Sequence, residues 1–165
     1  KAPLVIVGAG SYTDDYVRSL KQFAAVIPNI HFLGERTGAV LDALYRGAVV
    51  CVQPSQSEGL SLSLLEAMSY AKPVVVSAIP ENLEAMNELQ FSFHPTDPSE
   101  LATVLQWVLR HPMEGRRQGR LNRSTVRAQY HWDRISKETT ALYSRLVPVH
   151  ETPTVELMPV PVRPV

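Results

Sequence analysis

One cysteine, no long apolar run and no surplus of either charge: the 165-residue sequence is first informative through what it lacks. Cys51 lies inside the apolar run 49–52, where it reads as a small buried hydrophobe, and a lone cysteine cannot close an internal disulfide. A reducing cytoplasm is the expected compartment. No stretch approaches the roughly 18 to 20 continuous apolar residues of a membrane span, and the apolar part of residues 1–8 is too short for a signal peptide. Sixteen basic residues cancel 16 acidic ones, and a broad positive surface for tracking phosphate backbones is hard to build from that balance. General nucleic-acid binding is therefore set aside, while a local basic pocket stays open. The five histidines, His31, His94, His111, His131 and His150, show no metal-ligand or catalytic-pair spacing. Glycine is sparse, 8 against 13 prolines, but Pro148, Pro153, Pro159, Pro161 and Pro164 crowd the last residues, so the rest of the chain is not proline-rich. With 45% hydrophobic and 19% charged residues, the composition is that of an ordinary globular chain, and the length fits one domain with its own core.

Short β-rich runs alternate with amphipathic stretches of helical length, the pattern of βαβ units feeding a parallel sheet. The expected fold class is α/β, a Rossmann-like doubly wound parallel sheet covered by helices on both faces, followed by a helical carboxyl-terminal region. Strands are expected at residues 4–7, 30–33, 49–53, 74–77 and 91–93, with helices at about 13–26, 38–46, 62–71 and 81–88 between them. Beyond Pro98 the apolar spacing is helical only, over 100–111, 113–130 and 133–147. Residues 1–147 are expected to form the folded domain. The prolines of 148–165 forbid both helix and ladder pairing, which predicts a mobile polyproline-like tail.

Two segments carry chemistry. Gly8-Ala9-Gly10 follows the first strand, but Thr13 occupies the third glycine position of a dinucleotide fingerprint, so the match is partial. A tight strand-to-helix turn explains the same glycines, and at the carboxyl edge of a parallel sheet even such a turn can line a pocket. The second segment, 54–68, joins the third strand to its helix. There the amides of Gly59, Leu60 and Ser61 at a helix start suit an anionic ligand such as a phosphate. Glu66 stands eight residues after Glu58, so the two carboxylates can lie up to about 12 Å apart, flanking that anion site. A second reading stands beside this one: Ser63-Leu64-Leu65-Glu66 fits a capping box, which would give the glutamate only the task of satisfying a helix start, and Glu58 would be a solvated loop residue.

The 54–68 segment resembles the E-x7-E signature of retaining glycosyltransferases with the GT-B fold, most closely glycosyltransferase family 4. The likeness continues through Leu4-Val5-Ile6-Val7-Gly8-Ala9-Gly10, Phe32-Leu33-Gly34, Leu44-Tyr45, Pro54-Ser55, Lys72-Pro73-Val74-Val75 and Ile79-Pro80-Glu81-Asn82 to Trp132 and Tyr143. By that resemblance the chain is the carboxyl-terminal, donor-binding half of such an enzyme, moving a sugar from a UDP- or GDP-sugar to a glycan or lipid-linked acceptor, with no cofactor and no metal. Glu66 would hold the ribose hydroxyls and Glu58 would face the donor sugar as the catalytic-site carboxylate. Gly59, Leu60 and Ser61 would meet the sugar or diphosphate, Gly8 and Gly10 would floor the diphosphate, and Gly34 with Arg36 would edge the base. Arg36 also reads as a plain surface arginine, and Lys72 as a residue closing a helix end.

Departures from the family carry expectations of their own. The family's carboxyl-terminal domain opens with a strand and helix bearing a basic pair, and this chain starts at what resembles the second strand, so a truncated amino-terminal side is expected. In a doubly wound order 3-2-1-4-5-6 the absent strand would be central, leaving Val5 and Val7 facing Val50 and Val52 across a buried gap. By the same resemblance the half that binds the acceptor is expected to lie outside these residues, and through it the protein would reach the inner face of a membrane. Ala71 and Ala78 stand where the family more often has glycine and an acidic residue. A non-catalytic nucleotide-sugar-binding or interaction module on the same fold is the alternative function.

Overall fold

A computed structural model describes residues 2–10, 14–86 and 91–146. Strand β1 (Leu4–Val7) leads through α1 (Asp14–Ala24) to β2 (Ile30–Gly34), and α2 (Gly38–Gly47) crosses to β3 (Cys51–Gln53). Then α3 (Leu62–Ser69), β4 (Val74–Ser77), α4 (Pro80–Met86) and β5 (Ser92–Phe93) complete the alternation. Three helices follow: α5 (Pro98–Arg110), α6 (Pro112–Gln129) and α7 (Trp132–Leu146). Every strand pairing is parallel, as alternation with helices requires. The expected tail at 148–165 lies outside the described residues, as does Thr13.

The sheet comes in two pieces, β1-β2 and β3-β4-β5. Counting β1 to β5 as strands 2 to 6 of the doubly wound order puts one further strand between β1 and β3, and among the described residues none lies there. Direct pairing of β1 with β3 does not close the gap. One part of the expectation is corrected: the edge is not buried, because Val5 and Val7 are 40% and 38% exposed. Water reaches the free amides and carbonyls there, so the loss at this edge is apolar contact rather than stranded hydrogen-bonding groups.

Packing is densest around β4, whose four residues Val74, Val75, Val76 and Ser77 are all buried. On one side it meets Leu64, Ala67 and Met68 of α3 with Ala85 and Met86 of α4; on the other, Phe91, Phe93 and Val108. The third strand is shorter than the apolar run suggests. Its ladder to β4 opens at Cys51 opposite Val74, since Pro73 has no amide to extend it, and Val49 and Val50 lie outside. Conversely β2 gains Gly34, whose carbonyl accepts from the Gly8 amide at 2.9 Å. Each helix after β5 starts a residue or two earlier than expected, with Pro98 and Pro112 in the first turns of α5 and α6, where a missing amide costs nothing.

Helix α6 docks by polar contacts that apolar periodicity does not reveal. Gln118 reads the start of β4 on both sides, accepting from the Val74 amide at 3.0 Å and donating to the Val74 carbonyl at 3.3 Å. Asn122 donates to the Lys72 carbonyl at 3.1 Å. Gly119 is required for this approach: a Cβ there would fall 2.6 Å from the Ala71 carbonyl carbon. Ala71 itself holds φ +57°, the left-handed region that penalises a Cβ, which is the physical reason glycine suits this turn after α3. Relief of about 1 to 2 kcal/mol of left-handed strain exceeds the roughly 0.4 to 1 kcal/mol by which glycine loosens the unfolded chain. Ala71→Gly is accordingly expected to raise stability by about 0.5 to 1 kcal/mol, read as a higher urea midpoint at unchanged slope; a lower midpoint would contradict the strain.

Candidate functional site

The carboxyl end of β3 delivers its last side chain, Gln53, into a ring of polar groups. Gln53 Nε2 donates to Ser55 Oγ and to Glu58 Oε1, each at 2.9 Å, and Ser55 Oγ donates to the same Glu58 oxygen at 2.7 Å. Gln53 Oε1 accepts from Ser63 Oγ at 3.1 Å, and Ser63 Oγ lies 3.1 Å from Ser61 Oγ. Strand end, loop and helix start are thus tied together. The loop is also tethered to β4: Ser77 Oγ donates to the Ser55 carbonyl, and Asn82 Nδ2 donates to Ser77 Oγ at 3.1 Å.

Ser61 caps α3, its hydroxyl accepting from the Leu64 amide at 3.4 Å. That rules out the capping-box reading of Glu66. The helix begins at Leu62, so Ser63 is not the cap and Glu66, the fifth helical residue, completes no capping box. Among the described residues no protein group accepts from the amides of Gly59, Leu60 or Ser61, which stand at the positive end of the helix.

Glu66 is exposed on α3, and its Oε2 accepts from the Tyr45 hydroxyl at 3.1 Å. The Tyr45 ring stacks on Tyr70 with centroids 5.1 Å apart, Tyr70 donates to Asp42 Oδ1 at 2.8 Å, and Arg46 pairs with Asp42 Oδ2 at 2.8 Å. Burial first, then the bond to Glu66, pushes the Tyr45 hydroxyl well above the ordinary phenol range, so it stays protonated and remains a donor. The Arg46 guanidinium and the Tyr70 hydroxyl hold the Asp42 carboxyl below the usual carboxylate range.

The other expected site residues lie at the ends of β1 and β2 and in the loops that follow them. Gly8, with φ +137°, and Gly10 follow β1, while Gly34, with φ +67°, closes β2. Arg36 is exposed and donates to its neighbour, the Glu35 carbonyl, at 2.8 Å. Lys72 donates to the Arg46 carbonyl at 2.6 Å, closing the last turn of α2 as a cation at a helix end should. Burial pushes the Cys51 thiol up to about 11, which keeps it a thiol at neutral pH. Among the described residues no three His, Cys, Asp or Glu side chains gather to hold a metal ion, and no helix is long and apolar enough to cross a membrane. Composition and motif missed Gln53 as part of the site; the available signal was a polar residue ending an apolar strand at its carboxyl edge.

Known proteins share this sequence pattern and fold. The family model described as glycosyl transferases group 1 matches residues 1–111, more than half of the chain. The chain belongs to this glycosyltransferase family. An uncharacterized glycosyltransferase of Methanocaldococcus jannaschii is 35% identical over 146 residues, 86% of this chain and 37% of that protein. The D-rhamnosyltransferase WbpZ of Pseudomonas aeruginosa is 32% identical over 124 residues, covering 72% of this chain and 32% of its own length. Among solved structures, the sucrose-phosphate synthase of Thermosynechococcus elongatus superposes with a TM-score of 0.77 at 28% identity over 87% of this chain and 38% of its own. The Anabaena protein HepE, crystallised with UDP-glucose, gives a TM-score of 0.78 at 20% identity, over 87% of this chain and 41% of its own, a likeness of fold. The chain therefore spans about a third of the relatives it matches, the carboxyl-terminal half of a GT-B architecture.

Proposed function

We propose that the chain is the donor-binding half of a retaining glycosyltransferase that moves a sugar from a nucleoside-diphosphate sugar to a glycan or lipid-linked acceptor. The carrying observation is the helix start of α3: amides without protein acceptors at Gly59, Leu60 and Ser61, with Glu58 just before them and Glu66 one turn beyond. Amides and helix dipole suit the diphosphate. A carboxylate can accept from two vicinal hydroxyls at once, so Glu66 fits the ribose, and Glu58 fits the donor sugar near its reacting carbon. Gly8 and Gly10 floor the diphosphate, while Gly34 and Arg36 edge the base. HepE, of the same fold, is a protein crystallised with UDP-glucose, which supports the ligand class. The acceptor is held by a further domain, and the assembled enzyme works in the cytoplasm, at the inner face of the membrane where its acceptor is lipid-linked.

One observation favours a second reading, a non-catalytic nucleotide-sugar-binding module. Among the described residues no lysine or arginine hydrogen-bonds to any residue from 53 to 63, so this ring of polar groups carries no cation of its own to stand beside a departing diphosphate. Calorimetric titration with UDP and GDP tests what both readings share, and turnover in a chain carrying the acceptor-binding half separates them. In a structure with diphosphate, the anion is expected beside the amides of Gly59 to Ser61; density elsewhere with this edge empty would refute the site.

A further inference from the structure

Glu58 is held by one oxygen and free at the other. Its Oε1 accepts from both Gln53 and Ser55, whereas among the described residues no protein group donates to Oε2. We propose that Gln53 is the positioning residue that aims Glu58 Oε2 at a sugar hydroxyl, and so sets the preference of the site for a nucleotide sugar over the bare nucleotide; this rests on the donor-site reading above.

Three features of the geometry carry the inference. First, the Gln53 amide has only one workable orientation. With Nε2 toward Glu58 it donates to the carboxylate and its Oε1 accepts from Ser63, and a flip would set a carbonyl against the carboxylate. Second, Gln53 is itself anchored at both ends. Its backbone lies in the ladder opposite Val76, and its side chain bonds to Ser55 in the loop and Ser63 in α3. Third, the loop cannot drift from the strand, because buried Ser77 bonds to the Ser55 carbonyl and is itself held by Asn82. A glutamate side chain loses considerable rotamer freedom when a ligand fixes it. Fixing it beforehand removes that cost from binding, but only for ligands that reach Glu58. Nucleoside diphosphate alone, held by the amides and Glu66, gains nothing from Gln53; the sugar does.

The test compares UDP with UDP-glucose, and GDP with GDP-mannose, by calorimetry on the 165-residue chain and on two variants. Gln53→Met keeps length and removes all three side-chain hydrogen bonds, to Ser55, to Glu58 and from Ser63; Gln53→Glu places a second carboxylate against Glu58. For the nucleotide pair the chain accepts, Gln53→Met is expected to weaken the sugar nucleotide about tenfold while leaving the diphosphate within about twofold. Gln53→Glu should weaken the sugar nucleotide further still, again sparing the diphosphate, since repulsion turns Glu58 away. An unchanged affinity ratio in both variants overturns the proposal. So does an equal loss for sugar nucleotide and diphosphate together with a lowered melting temperature, which would make Gln53 a structural strut. If the unaltered chain binds neither pair, the donor-site reading falls and takes this inference with it, an outcome distinct from normal binding with an unmoved ratio.

Discussion

A chain carrying one added strand and helix ahead of Leu4, joined so that the strand can lie between β1 and β3, is expected to be more stable than the 165-residue chain by several kcal/mol. The division of the sheet at that point is the reason. A strand inserted there would pair on both sides and cover Leu4, Val5 and Val7 along β1 and Val49 beside β3, all of which are exposed. Burying one Val or Leu side chain contributes about 1.5 to 3 kcal/mol, and ordering each residue of the new strand costs about 1 to 2 kcal/mol, so only a strand apolar on both faces gives a net gain. Without it, two open parallel edges lined by valines are templates for pairing with another copy, and the 165-residue chain is expected to self-associate at micromolar concentration. Urea unfolding of the two chains and sedimentation of the shorter one provide the check. A shorter chain that sediments as a monomer and unfolds at the same urea midpoint as the extended one would refute the slot.

The same edge shows where sequence was a good guide and where it was not. Alternation of β-rich runs with helical periodicity is a local signal, and the five strands and seven helices among the described residues lie within a few residues of where it put them. It failed where the stabilising contact is long-range and polar. Helix α6 buries Gln118 and Asn122, which no apolar stripe marks, because their partners are backbone groups some forty to fifty positions away at the start of β4. The cap of α3 was left open between two serines for a related reason: Ser61, just before the expected start at Leu62, and Ser63 of the capping-box reading could each cap a helix, and only the geometry shows Ser63 turned toward Gln53 instead. Ala71 was legible as an oddity but its cost was not, since φ +57° follows from the tight turn between α3 and β4. The carboxylates Glu58 and Glu66 were found by spacing along the chain, while their partners Gln53 and Tyr45 come from other elements and were visible only once β3, α2 and α3 stood side by side.

Replacing Glu66 with alanine is expected to weaken nucleotide binding by about 1.5 to 3 kcal/mol, roughly ten- to more than a hundredfold in Kd, as when a charged hydrogen-bond partner is lost. The fold should barely notice. Glu66 is exposed at the fifth position of α3, caps nothing, and has Tyr45 as its protein partner among the described residues. Tyr45 keeps the Ser63 carbonyl at 3.4 Å as an acceptor and its stacking on Tyr70, so the loss of stability should stay within about 1 kcal/mol, the range of a single exposed hydrogen bond. Tyr45→Phe separates holding from contact: it leaves the carboxylate in place but unsteered, and should weaken UDP or GDP by less than Glu66→Ala does. Glu66→Gln should fall near the alanine variant if the ribose requires two acceptor oxygens, because an amide presents only one. Calorimetry with the accepted diphosphate, paired with thermal melts of each variant, decides the matter. Undiminished binding by Glu66→Ala would remove Glu66 from the site, and a large fall in its melting temperature would return it to a structural role.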